Sequence, residues 1–280
     1  MIVRHPRTVI IRGTSIHYES STPPVDQGRP TLVLIHGFGA TLQTWDDVLP
    51  RLEATHPILR LDLKGFGLSG RPADQRYSVE DQADLVADLV RQASPGAVVL
   101  VGHSYGGAAA ILAERKLGGL VRGLVLIDAA SYAQRLPFFV TCYRHALTRW
   151  AVARASAAFR SRFVLTRLFV DKTRVNEERV ERYARAMRMP GSDAASARVA
   201  EQILPASFAD VTRAIQAIGV PTLVIWGDSD RAVPLRFAHR LHEHIRGSRL
   251  AVLHACGHMP HEERPEEVLS ILEPFLRELR

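Results

Sequence analysis

The sequence is poor in cysteine: Cys142 and Cys256 are its only two, far apart among 280 residues. That argues against a disulfide framework and against paired thiolate metal ligands. Nor is there an apolar run near the roughly 18 residues that a membrane-spanning helix requires. The opening stretch MIVRHPRTVIIRG scatters arginines where a signal peptide would have an unbroken apolar core, so a cytoplasmic protein is expected. Internal repeats and low-complexity tracts are also missing, which removes solenoids and disordered arrays from consideration. No cluster of histidine, cysteine or acidic residues has metal-ligand spacing, and neither a metal nor another cofactor is expected. Oligomeric state leaves no trace in the sequence.

Hydrophobic residues make up 46% of the chain and charged residues 23%, the balance of a globular protein with a sizeable core. The net charge of +7 is unevenly placed. Between Ala133 and Pro190 there are thirteen Arg or Lys against four Asp or Glu, so the rest of the chain is slightly acidic. A block of this kind is ordinarily a solvated face. Nucleic acid is not an expected partner, because no recognition module accompanies the charge.

Short, almost continuous apolar runs recur at 31–35, 58–63, 97–101, 120–127, 222–226 and 250–253. Each has the length of a strand, and being apolar on both faces suits a parallel sheet between two layers. Two β-type stretches, Thr8–Arg12 and Ser15–Glu19, and a proline-rich turn at 23–30 precede them. Segments of helical spacing lie between the runs: Val79–Gln92 behind Ser78, Ala108–Lys116, Pro234–His244 and Pro265–Leu279. Such alternation predicts a doubly wound, mostly parallel α/β sheet. From 131 to 207 the strand signal disappears and Ala, Arg, Leu and Phe take over at helical spacing. This predicts a core of residues 1–130 and 208–280 with a helical cap inserted at 131–207.

Ser104 lies in Gly102-His103-Ser104-Tyr105-Gly106, directly after the run 97–101 and directly before a helix. A bare G-x-S-x-G would arise by chance in about one chain in ten of this length. Its strand–turn–helix setting is what gives it weight, because a tight turn projects the hydroxyl and only glycine fits where backbones crowd. With His36-Gly37-Phe38-Gly39 after one strand and Asp62-Leu63-Lys64-Gly65-Phe66-Gly67-Leu68-Ser69 after the next, nearly the whole chain resembles the α/β-hydrolase superfamily. The resemblance implies an oxyanion hole from the Phe38 and Tyr105 backbone N–H groups. It also implies that His36 braces its loop and that 62–69 is a structural turn.

A serine hydroxyl needs a base. Of twelve histidines, His258 follows the last strand in Ala255-Cys256-Gly257-His258, where the superfamily's base lies. The expected acid is Asp230, in the turn Gly227-Asp228-Ser229-Asp230-Arg231 after a strand. Asp128, at the end of the preceding strand, is a rival because some relatives place the acid there, and Asp228 is a third candidate. The order nucleophile, acid, base fits the superfamily.

Serine at this position argues against epoxide and carbon–halogen cleavage, for which relatives use aspartate. A serine hydrolase acting on a small or lipid-like carboxylic ester through an acyl-enzyme is the expected function. Carbon–carbon hydrolysis of ring-fission products, perhydrolysis and a ligand receptor that retains the triad stay open. The ring-fission branch typically has tryptophan after the base and a polar amide residue before the nucleophile, whereas this chain has Met259 and His103. Aromatics of the basic segment, Phe138, Phe139, Tyr143, Trp150, Phe159, Phe163 and Phe169, are expected to roof the site and pack on the core. Weak contact with a membrane surface is the alternative use of the same residues.

Overall fold

A computed structural model describes residues 4–23, 28–94 and 96–279; residues 24–27 of the proline-rich turn therefore lie outside the described residues. The strands are β1 (Arg4–Ile11), β2 (Thr14–Ser21), β3 (Thr31–Ile35), β4 (Ile58–Leu61), β5 (Val98–His103), β6 (Val121–Ile127), β7 (Thr222–Gly227) and β8 (Arg249–Leu253). They form one sheet in the order β1-β2-β4-β3-β5-β6-β7-β8. β1 and β2 pair antiparallel, as do β2 and β4; every other neighbouring pair is parallel. The first hairpin is longer than its apolar residues indicate, because the polar residues from Arg4 to Arg7 pair with Ser21 to Tyr18 at an exposed edge. Arg12 and Gly13, both at positive φ, make its two-residue turn.

Helices α1 (Leu49–Glu53), α2 (Val79–Ala93) and α3 (Tyr105–Leu117) lie in the crossovers that precede β6. α2 starts in a capping box, with Ser78 Oγ accepting from Asp81 N and Asp81 Oδ2 accepting from Ser78 N. Between β6 and β7 come α4 (Phe138–Arg144), α5 (Ala146–Ala153), α6 (Ala157–Leu168), α7 (Glu177–Met187), α8 (Ser192–Gln202) and α9 (Phe208–Gln216). The chain closes with α10 (Arg236–His244), α11 (Pro260–Glu263) and α12 (Pro265–Glu278). α11 and α12 are separated at Arg264 (φ −131°, ψ 54°), since the residue before a proline avoids the α region.

Side chains alternate along each strand, so the central strands feed two cores. Val33, Ile35, Leu100, Leu126 and Trp226 pack with α2, α3 and α10. Leu32, Leu34, Val101, Ile127 and Ile225 pack with α1 and α12. Both faces of the parallel strands other than the edge strand β8 are thereby covered, which explains their unbroken apolar runs. The carboxyl ends of β3, β5, β6 and β7 open toward the insertion, and the site forms there. No helix among the described residues is long and apolar enough to cross a membrane.

Candidate active site

β5 delivers the chain to Ser104 and α3 carries it away. The helix begins at Tyr105, three residues earlier than expected at Ala108, so the serine is itself the N-cap residue. Its backbone (φ 51°, ψ −119°) is one that a non-glycine residue rarely adopts, a strain of about 1–3 kcal/mol. The end of β6 and the loop that follows it hold it: Ser104 N donates to Ile127 O at 3.0 Å, and Ala130 N donates to Ser104 O at 2.9 Å. A Cβ on Gly102 would stand 2.5 Å from Gly106 O, and one on Gly106 would stand 2.4 Å from the carbonyls of Ile35 and His36. The two glycines of the motif are thus required by close backbone packing.

Ser104 Oγ lies 2.9 Å from His258 Nε2, and His258 Nδ1 lies 2.7 Å from Asp230 Oδ2. A carboxylate only accepts, so Nδ1 carries the proton given to Asp230 and Nε2 is free to accept from the serine hydroxyl. Asp230 Oδ1 accepts from Ala232 N at 2.7 Å and from Val233 N at 3.0 Å, which fixes the carboxylate. His258 is held at its backbone as well, its N–H donating to Leu168 O at 2.8 Å and its carbonyl accepting from His103 Nε2 at 2.8 Å. The geometry separates the three aspartates. Asp228 faces the exposed His254 at 2.8 Å. Asp128 is fully buried, with Oδ1 accepting from Gly227 N at 3.1 Å, and it stands beside Asp230 without a hydrogen bond to the imidazole. Burial, reinforced by the Asp230 carboxylate, pushes Asp128 well above the usual carboxylate range.

Gly37 places the His36–Gly39 loop against Ser104, since a Cβ there would stand 3.1 Å from Ser104 Cβ. His36 braces this loop as expected: its Nδ1 donates to Gly37 O at 2.7 Å, and its Nε2 accepts from Leu63 N at 2.9 Å. The Phe38 and Tyr105 N–H groups have no backbone acceptor among the described residues. Asp62 is structural, its carboxylate accepting from Leu42 N and Leu68 N, each at 2.8 Å.

Two features were invisible in the sequence. His103 is buried, its ring centroid 4.9 Å from that of His258. Burial, then the nearby His261 and His258, drives its pKa well below the ordinary value, so it stays neutral. The second is a buried polar network that ties α7 to the core. Thr44 Oγ1 reaches His261 Nε2 at 3.0 Å and Tyr183 OH at 3.2 Å, and both hydroxyls donate to Glu262. Glu262 Oε2 in turn accepts from Arg179 Nε at 2.7 Å, and Arg179 also pairs with Asp47. Burial, aided by His258 and Arg179, brings His261 down to about 3. No single residue of this network announces it, because its partners are brought together from three distant segments.

Above the serine lies a cavity of about 430 Å³, within the range of small-molecule sites. Phe38, Phe139, Tyr143, Val164, Leu168 and Met259 contribute to its largely apolar wall. The aromatics of 131–207 divide more sharply than expected. Phe139, Tyr143 and Phe163 turn inward and Phe169 is fully buried, but Phe138, Trp150 and Phe159 are 68%, 58% and 62% exposed. Trp150 is exposed because α5 buries none of its side chains, and Phe138 and Phe159 stand in the first turns of α4 and α6. Asp128, Asp230 and His258 bring potential metal-ligand atoms within 4.8 Å of one another. His258 Nδ1 and Asp230 Oδ2 are already bonded to each other, and the third member is a carboxyl that burial holds toward its neutral form, a poor donor set for a cation.

The sequence profile of the alpha/beta hydrolase family matches residues 32–271. A 2-hydroxymuconate semialdehyde hydrolase of Pseudomonas sp. (strain CF600) is 30% identical over 88% of this chain and 87% of its own. A pimeloyl-[acyl-carrier protein] methyl ester esterase of Neisseria meningitidis (strain FAM18) is 29% identical over 87% of this chain and 92% of its own. Among solved structures, the epoxide hydrolase CorEH superposes with a TM-score of 0.86 at 20% identity, covering 99% of this chain and 100% of that one.

Proposed function

Because the chain belongs to the alpha/beta hydrolase family, we propose that it is a serine hydrolase that cleaves carboxylic esters through an acyl-enzyme on Ser104. The observation that carries this reading is the continuous hydrogen-bonded line from Ser104 Oγ through His258 to Asp230 at the floor of an apolar cavity. As Ser104 Oγ attacks the ester carbonyl, its proton passes to His258 Nε2, and Asp230 stabilises the imidazolium. The negative charge on the former carbonyl oxygen falls to the Phe38 and Tyr105 N–H groups, which stand free of backbone acceptors beside the serine. Collapse of the tetrahedral intermediate breaks the bond to the alkoxy group, which leaves as alcohol with the proton from His258. Water then gives a proton to His258, attacks the acyl carbon and releases the acid, restoring the Ser104 hydroxyl. Residues 131–207 act as a cap that shapes the acyl pocket.

Support for the ester also comes from the Neisseria esterase relative. The second reading, carbon–carbon hydrolysis of a ring-fission product, draws on the Pseudomonas hydrolase relative. Against it stand Met259 and His103, which line the cavity where that branch typically carries tryptophan and an amide.

The test is labelling by a fluorophosphonate probe alongside turnover of p-nitrophenyl esters of rising chain length, for the native protein and Ser104→Ala. Labelling should vanish in the variant and turnover should fall at least about 10⁴-fold. Equal labelling of the two proteins would remove Ser104 from the mechanism. Turnover of a ring-fission product with no turnover of any ester would select the second reading.

A further inference from the structure

The cavity does not end at a polar rim. Phe138, Phe159 and Leu204 line it and are at the same time 68%, 62% and 37% exposed, so its mouth is apolar. That apolar surface continues onto α5. Ala151 lines the cavity, and Leu147 and Trp150, four residues and one residue before it, stand 77% and 58% exposed without lining anything. Isolated exposed apolar side chains are ordinary. Here four large ones, Phe138, Leu147, Trp150 and Phe159, fall on the three consecutive helices α4, α5 and α6, and two of them line the cavity, which marks an interaction surface.

The charges beside them identify the occupant. Arg149, Arg160 and Arg162 pair with Glu201, Asp193 and Glu177. Exposed Arg144, Arg154 and Arg167 make no ion pair among the described residues. Arg154 lies over the exposed Trp150 ring with its guanidinium carbon 4.4 Å from the centroid. Unpaired guanidinium groups interleaved with exposed aromatics suit a surface with phosphate anions at one level and hydrocarbon just below. A protein partner would need the opposite charge and a matched shape, whereas an anionic lipid surface needs only this layering.

We propose that α5 and the exposed rims of α4 and α6 form a docking face for an anionic lipid bilayer, which sets the cavity mouth against the membrane. Docking itself stands on the surface alone. That the bilayer also delivers the ester substrate rests on the hydrolase reading above.

The test is co-sedimentation with phosphatidylglycerol–phosphatidylcholine vesicles, against pure phosphatidylcholine vesicles, at low and high salt. Native protein should sediment with the anionic vesicles, and binding should weaken in high salt and on pure phosphatidylcholine. Leu147→Asp with Trp150→Asp should lower the partition at least about tenfold, and each of Arg144→Gln and Arg154→Gln should lower it about fivefold. Hydrolysis of a soluble short-chain ester by the double variant should stay within about twofold of native, which also shows that it folds. Trp45 and Trp226 are buried and Trp150 is exposed, so the change in tryptophan emission on adding anionic vesicles reports Trp150 and should be a shift to the blue. No sedimentation and no blue shift would overturn the proposal. So would native protein that light scattering finds dimeric and the double variant turns monomeric, since a second copy would then be the occupant. Fluorophosphonate labelling reads the active site separately: vesicle binding without labelling would leave the docking face and remove the esterase.

Discussion

The strand ends beneath the cavity and helix α5 beside its mouth are held in opposite ways. At the floor, Ser104, Asp230 and His258 are each fixed by several bonds, and even the backbone carbonyl of His258 is held by a neighbouring ring. α5 buries no side chain and leaves Leu147 and Trp150 largely in water. α7 belongs to the same insertion but is tied to the floor through Arg179 and Glu262. Fixation therefore follows proximity to the reacting atoms and not membership of core or insertion. Reaction needs donors and acceptors within a fraction of an ångström, and a docking face needs only exposed apolar area and charge.

That contrast is tested hardest at Asp230. Asp230→Asn would lose the carboxylate that holds His258 Nδ1–H, and kcat on a soluble ester should fall by about 10³–10⁴-fold. Asp128→Asn should leave kcat within about threefold, because the hydrogen bond to the imidazole comes from Asp230 and not from Asp128. Equal losses in the two variants would show that the pair acts as one acid. Next comes Arg179→Ala, which would leave the fully buried Glu262 carboxylate with two hydroxyl donors and no cation. Chemical denaturation should show a loss of about 3–5 kcal/mol. Arg179→Ala combined with Glu262→Gln should recover part of it, since a neutral amide is less costly to bury unpaired.

How much of this was legible in the sequence follows from the range of each interaction. The parallel strands and the Ser104 turn could be read because apolar runs and glycine packing are local. His258 could be placed, and Asp230 preferred, because each follows a strand at a position the superfamily resemblance picks out. The choice among Asp128, Asp228 and Asp230 needed coordinates, because it depends on which carboxylate the imidazole meets across 28 residues and which one meets His254 instead. The Thr44–Tyr183–Glu262–Arg179 network escaped entirely, its members lying 79 to 218 residues apart where paired. The aromatics were half legible: helical spacing finds the apolar stripe of α6 but not that α5 turns its own stripe to solvent.

A smaller effect concerns pH. Asp128 is held toward its neutral form in the folded protein, whereas an unfolded aspartate releases its proton near pH 4. A raised folded pKa means that the stability from this group is full below about pH 4 and is lost as the pH climbs toward the folded value. Asp128→Asn keeps the acceptor for Gly227 N and can donate to Asp230 at every pH. Calorimetry should find its Tm about 2–4 °C above native at pH 8 and nearly equal at pH 4. A lower Tm at pH 8 would mean that Asp128 is charged in the native protein and that its charge is used.

The smallest effect belongs to α5, and its smallness is the point. Leu147→Ala with Trp150→Ala removes two large side chains that touch little of the protein, so unfolding free energy should move by no more than about 0.5 kcal/mol. A buried leucine truncated in the same way costs about 2–5 kcal/mol, so the two outcomes are well separated. A loss in that upper range would show that α5 packs against the molecule in solution, and the contrast between floor and mouth would collapse. A negligible loss would leave two large apolar residues with no part in stability on a helix whose next turn lines the cavity. That outcome would agree with the docking face proposed for α5, which needs exposed apolar area and no packing against the core.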